Sequence, residues 1–165
     1  RERGVVFFTA NDAERLPQRP KPFLDESLPA GNGVAARALL KLGHLLGEAR
    51  YLDAAERTLR SGWSTLTEVP HACCTMLMAL GEFLQPSTHV VVRYNDESAT
   101  RAWRETLDRH AGSIDAYFIS ADADLPGVLG AQGTPSPVAA YLCKGTSCDP
   151  PLTSAEAFAA ALQHA

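Results

Sequence analysis

Several things are missing from this chain, and each absence narrows what it can do. No run of Lys or Arg stands out among the 165 residues, and the formal net charge is −4 with an isoelectric point near 5.7. A dedicated nucleic-acid surface needs clustered basic groups to displace counterions from phosphates, so the charge argues against that class of partner. No apolar run approaches the roughly 18 residues a membrane-spanning helix requires, and the first residues do not read as a charged stretch followed by an apolar one. The CxxC spacing of thioredoxin-type oxidoreductases is also missing. The five histidines (His44, His71, His89, His110 and His164) stand at no metal-ligand spacing from Cys143 and Cys148.

What is present is a chain able to bury a core, since 45% of its residues are hydrophobic. Its length suits one ordinary domain or two small ones sharing a core. Four cysteines (Cys73, Cys74, Cys143 and Cys148) do not suggest a disulfide-stapled secreted scaffold, so the cytoplasm is the expected compartment. The chain starts Arg1-Glu2-Arg3-Gly4 without an initiator Met, from which we expect that something upstream has been removed.

Along the chain, "GVVFFTA" predicts a short strand from Gly4 to Ala10, followed by a proline-stiffened segment to residue 32. A helix is predicted from about Gly33 to Leu46, with Val34, Ala38, Leu39, Leu42, Leu45 and Leu46 at helical spacing, Asn32 as its cap and Gly47 as its terminator. A second helix is predicted from Tyr51 to Leu66, with Leu52, Ala55, Leu59, Trp63 and Leu66 on one face. The short "GEAR" link makes these two an antiparallel hairpin. Pro70 opens a third helix, to about Leu84, whose "ACCTMLMAL" reads as buried on several sides. Cys73 and Cys74, about 100° apart on it, read as buried small hydrophobes.

The pattern changes at Pro86. Strands are predicted at Thr88–Tyr94, Asp115–Ser120 and Val138–Cys143, with a helix at Ser98–Ala111, a loop over 121–137, and a final helix capped by Thr153 or Ser154. The first strand, helix and second strand form a βαβ unit with parallel strands. The turn after the first strand, "RYNDES", has two acids and no glycine, which disfavours a nucleotide there.

"FFTANDAERLPQRPKPFLDESLPAGNGVAARALLKLGHLLGEARYLDAAERTL" resembles the C-terminal third of the thioredoxin-domain proteins related to spermatogenesis-associated protein 20, and "AYLCKGTSCDPPLTSAEAFAAAL" is similar to that family's ending. Val5-Val6 stands where the family has Gly-Gly, and Ala30 where it has Ser. The resemblance implies a longer parent with an N-terminal thioredoxin-like domain and an (α/α) toroid of the six-hairpin glycosidase type, also similar to N-acylglucosamine 2-epimerase. The expected architecture is therefore α+β: a helical hairpin region from the toroid (1–86), then a small three-stranded α/β layer with a parallel βαβ unit (87–165).

The resemblance would face the loop before the first helix toward a toroid cavity. There Asp25 and Glu26 would be candidates for acid–base work on a sugar, and Asp25, Asn32, Arg19 and Lys21 for ligand contact. The alternative is that Asp25 and Glu26 bind backbone N–H groups or solvent, Asn32 simply caps, and Glu14, Arg19 and Lys21 form a charge network. Cys143 and Cys148 bracket "KGTS" and admit three readings: structural thiols, a reversible disulfide, or two ligands of a metal site lacking its other two. We expect a structural or interaction part of the parent, not catalytic in isolation, with part of a carbohydrate-active enzyme's cavity wall as the alternative. The expected partners are the missing N-terminal part, a second copy through exposed helix faces, or a sugar; no cofactor, metal, nucleic acid or membrane is expected.

Overall fold

A computed structural model describes residues 6, 12, 20–110, 114–134 and 136–163. The expected strand from Gly4 to Ala10, apart from Val6, lies outside the described residues, as do Glu14 and Arg19. The chain divides into two compact units, the first ending at Pro86 and the second beginning at Ser87. The fold class is α+β: helices in the first unit, and a four-stranded mixed sheet with helices in the second.

In the helical unit, α1 (Gly31–Leu46) packs against both α2 (Ala49–Ser61) and α4 (Cys74–Leu84), with the short α3 (Trp63–Glu68) between. Arg37 and Glu82 join α1 to α4 through an ion pair of 2.7 Å. The core gathers Ala36, Leu59, Leu66, Cys73, Met76 and Ala79, with Phe23 and Phe83 packed against it. Gly47 ends α1 in the left-handed region (φ 67°), donating its N–H to Gly43 O, a conformation that costs glycine little.

Four expectations for this unit need correction. Asn32 does not cap α1: the helix starts at Gly31 behind Ala30, which makes no side-chain cap bond, and Asn32 lies inside the first turn. The stripe buried on α1 is Asn32, Gly33, Ala36, Leu40 and Gly43, while Val34, Ala38 and Leu42 face solvent. Small residues let the neighbouring helices approach that stripe closely, and this decides burial over the density of large side chains. The second helix breaks at Gly62, where a Cβ would press on Met76 and Phe23 at 2.8 Å, and Trp63 turns outward, 53% exposed. Pro70–Ala72 forms a 3₁₀ turn before α4, and α4 is buried on one side only: Cys74, Leu77, Met78 and Leu84 are exposed.

The second unit is built on a sheet of order β2-β1-β3-β4. Strand β1 (Thr88–Tyr94) pairs parallel with β2 (Asp115–Ser120) and antiparallel with β3 (Val138–Lys144), on which β4 (Ser147–Cys148) folds back as a fourth strand where three were expected. Val90, Val92, Val138, Ala140 and Leu142 pack against Trp103 of α5 (Arg101–Arg109) and Phe158 and Leu162 of α7 (Ala155–Leu162). The Trp103 and Phe158 rings lie 5.1 Å apart. Ser154 caps α7, its Oγ accepting from Ala157 N–H. The segment expected as loop contains a short helix, α6 (Gly127–Ala131), anchored by buried Leu129.

Candidate functional site

The loop before α1 is held by two side chains. Asp25 Oδ1 accepts from Ala30 N–H (2.7 Å) and Oδ2 from Thr75 N–H (2.7 Å), while Asp25 N–H donates to Ala72 O (2.8 Å). Thr75 lies in the first turn of α4, where N–H groups lack intrahelical partners, so Asp25 caps a helix that begins about 50 residues downstream. Partial burial pushes its carboxyl pKa up, but hydrogen bonds from Ala30 and Thr75 outweigh this and hold it below the ordinary value. Asn32 is fully buried; its Oδ1 accepts from Val6 N–H (2.8 Å) and its Nδ2 donates to Val6 O (3.1 Å) and Pro22 O (2.9 Å). Glu26 is exposed, with its backbone N–H turned onto Leu28 O, and Lys21 is half-buried. Asp25 and Asn32 are thus both committed to backbone groups around the same turn.

At the carboxyl ends of the parallel strands, where ligands of α/β sheets bind, stand Asp96 and Asp122. Asp96 accepts from the Ser98 hydroxyl and N–H (2.8 and 2.9 Å), and Asp122 accepts from the Ser120 hydroxyl. Both carboxyls are held below their ordinary pKa, chiefly by those serine hydroxyls. Two fixed negative charges at this edge disfavour a phosphate.

Cys143 and Cys148 form a disulfide across the β3–β4 hairpin. They face each other in register, Cα atoms 3.9 Å apart, one pair back from a two-residue turn that starts at Gly145 (φ 59°). Asp149 N–H donates to Leu142 O (2.8 Å), which makes Cys143–Cys148 the non-hydrogen-bonded pair beside it, where side chains stand closest. Cys143 is buried, 1% exposed, whereas Cys148 is exposed. The Gln132 side-chain amide points at both sulfurs, Nε2 lying 3.5 Å from Cys148 Sγ and 3.9 Å from Cys143 Sγ. Its Oε1 is buried without a partner among the described residues. Sequence reasoning missed Gln132, because the loop fold that brings it to the cysteines leaves no periodic signal.

The remaining cysteines do not join this group. Cys73 is a buried free thiol whose pKa burial pushes up, with the Asp25 charge adding to the effect, and Cys74 is free and exposed. Neither ring nitrogen of His44 has a hydrogen-bond partner among the described residues, and burial lowers its pKa. No group of three or more His, Cys, Asp or Glu able to hold a metal occurs among the described residues, and no helix there is long and apolar enough to cross a membrane. No family model matches the chain, and no curated protein matches it.

Proposed function

We propose that this chain is the C-terminal part of a thioredoxin-domain protein of the spermatogenesis-associated protein 20 kind, working in the cytoplasm as a structural and interaction module of its parent. One observation carries the reading: α1 is apolar on two sides. Its buried stripe meets α2 and α4, while Val34 (49% exposed), Ala38 and Leu42 (42% exposed) form an i, i+4, i+8 stripe turned to water. Leu77 and Leu84, two turns apart on α4, repeat the pattern. A helix apolar on two sides calls for neighbours on both, as helices have in a closed (α/α) ring, so we assign the outward stripes to the rest of that ring. The carbohydrate-enzyme reading has less support, because Asp25 and Asn32 bind backbone groups and do not present acid–base or ligand-binding atoms.

Light scattering on the chain tests the proposal. Without its parent the chain should self-associate through these stripes, and V34K/L42K should make it monomeric with unchanged helix content. A wild-type chain that is a monodisperse monomer would sink the interaction reading. In the reconstituted parent, sugars and sugar phosphates should give no thermal shift that Asp25→Asn abolishes; such a shift would restore the enzyme reading.

A further inference from the structure

We infer that the β3–β4 hairpin tip is a thiol–disulfide exchange site whose substrate is a dithiol: Cys148 Sγ takes the attack, Cys143 is the partner sulfur, and Gln132 is a positioning residue. Three observations outside the proposed role carry this. First, the two sulfurs are unequal, because Cys143 is buried and Cys148 exposed, on the rim of a depression of about 260 Å³ lined by Gln132, Tyr141 and Thr146. A thiolate can approach only one of them. Second, the bond is not needed to hold the hairpin. Lys144–Ser147 pairing, the Asp149–Leu142 bond and the Ala140–Leu152 bridge fix the register on either side of it. The loop it closes has four intervening residues, and the stabilisation from loop closure falls as the loop shortens. Third, the Gln132 amide donates toward both sulfurs, where it stabilises negative charge developing on either during exchange.

Exchange runs in two steps. A thiolate of the dithiol attacks Cys148 Sγ; the Cys143–Cys148 bond breaks, its electron pair goes to Cys143 Sγ, and that sulfur takes up a proton. The mixed disulfide on Cys148 is then attacked by the dithiol's second thiolate at the dithiol's own sulfur, releasing Cys148, which is protonated. The protein pair gains two electrons and two protons, and the dithiol becomes a disulfide. A monothiol cannot complete this sequence by itself. Cys143, held directly opposite by the sheet, attacks the adduct at high effective concentration and expels it. The geometry therefore selects dithiols.

The whole native chain is equilibrated in dithiothreitol redox buffers, with a CxxC oxidoreductase as protein dithiol and glutathione as monothiol in parallel arms. Thiols are mapped by alkylation and peptide mass spectrometry, with Cys73 and Cys74 as internal references and circular dichroism as a check on folding. The expected result is reversible two-electron conversion of Cys143/Cys148 with unchanged secondary structure and no accumulating glutathione adduct. Reaction with dithiothreitol alone identifies a small dithiol as the source; reaction with the oxidoreductase as well identifies a protein. With oxidised glutathione, whose disulfide a Cys thiolate attacks with release of one glutathione thiol, Cys143→Ala should accumulate a glutathione adduct on Cys148 that no neighbouring thiol can expel, and Cys148→Ala should accumulate none on buried Cys143. Gln132→Leu should slow reduction by about tenfold, the order expected for losing a hydrogen bond to a charged group. A pair that stays oxidised until the chain unfolds, or a glutathione adduct that accumulates in the wild type, overturns the proposal; both are read on the wild type, whatever the variants' folding.

Discussion

The two units solve the burial problem differently. The sheet unit encloses its apolar side chains: β1 and β3 are buried over almost their whole length, and Val128 is its one exposed large hydrophobic among the described residues. The helical unit leaves Leu24, Leu28, Val34, Leu42, Trp63, Leu77, Met78 and Leu84 in water. Two of its polar side chains are tied to the backbone around the loop before α1: Asn32 has three backbone partners there and each oxygen of Asp25 has one. Both units have a packed apolar core, but the helical one adds polar ties at one end and leaves an apolar surface uncovered. Under the function proposed above, that uncovered surface is where the rest of the ring would pack.

That contrast is open to direct attack. The largest effect belongs to the sheet unit: Trp103→Ala removes a 5%-exposed ring stacked on Phe158 and should cost about 3–5 kcal/mol in denaturant melts. Hydrogen exchange should place the loss in β1, β3 and α7; a loss confined to the helical unit would break the comparison. Next comes Asn32→Ala, which empties a fully buried position and removes three hydrogen bonds to the backbone of Val6 and Pro22; it should cost about 2–4 kcal/mol, with increased exchange at the start of α1. A cost below about 0.5 kcal/mol, typical of a surface change, would refute the claim that polar ties hold this unit.

Asp25→Asn should cost less, about 1–2 kcal/mol near neutral pH, as expected for a weakened helix cap. Its pH dependence is more telling. The folded carboxyl titrates below its ordinary 3.8, so the stabilisation is complete above that value and is lost as pH falls through the lower folded pKa. The variant should therefore lose less stability than wild type between about pH 4 and pH 2, measured by circular dichroism melts; parallel acid limbs would refute the cap.

Much of the architecture was legible because the signals were local. The β-branched run Thr88–Tyr94, the strand Asp115–Ser120 and the Gly47 terminator carry their own stereochemistry, and all three stand where the sequence places them. The buried face of α1 was misread because its stripe of Gly33, Ala36 and Gly43 is inconspicuous, while Val34, Ala38 and Leu42 form the more obvious one. The sequence marked Asp25 and Asn32 as notable but not what they bind, because Thr75 and Val6 are 50 and 26 residues away from them. Cys143 and Cys148 were legible as a pair by spacing, whereas the contrast in their exposure follows from the hairpin's place at the sheet edge.

The Asp25–Thr75 bond also bears on the order of assembly. The first turn of α4 stays incompletely satisfied until the segment ahead of α1 has docked, so local helix formation alone cannot finish it. Closing that circuit carries the loop entropy of about 50 residues, which defers the contact relative to the α1–α2 hairpin. The Thr75 amide is consequently a built-in clock: the moment it gains protection in pulsed hydrogen exchange marks the arrival of the opening segment.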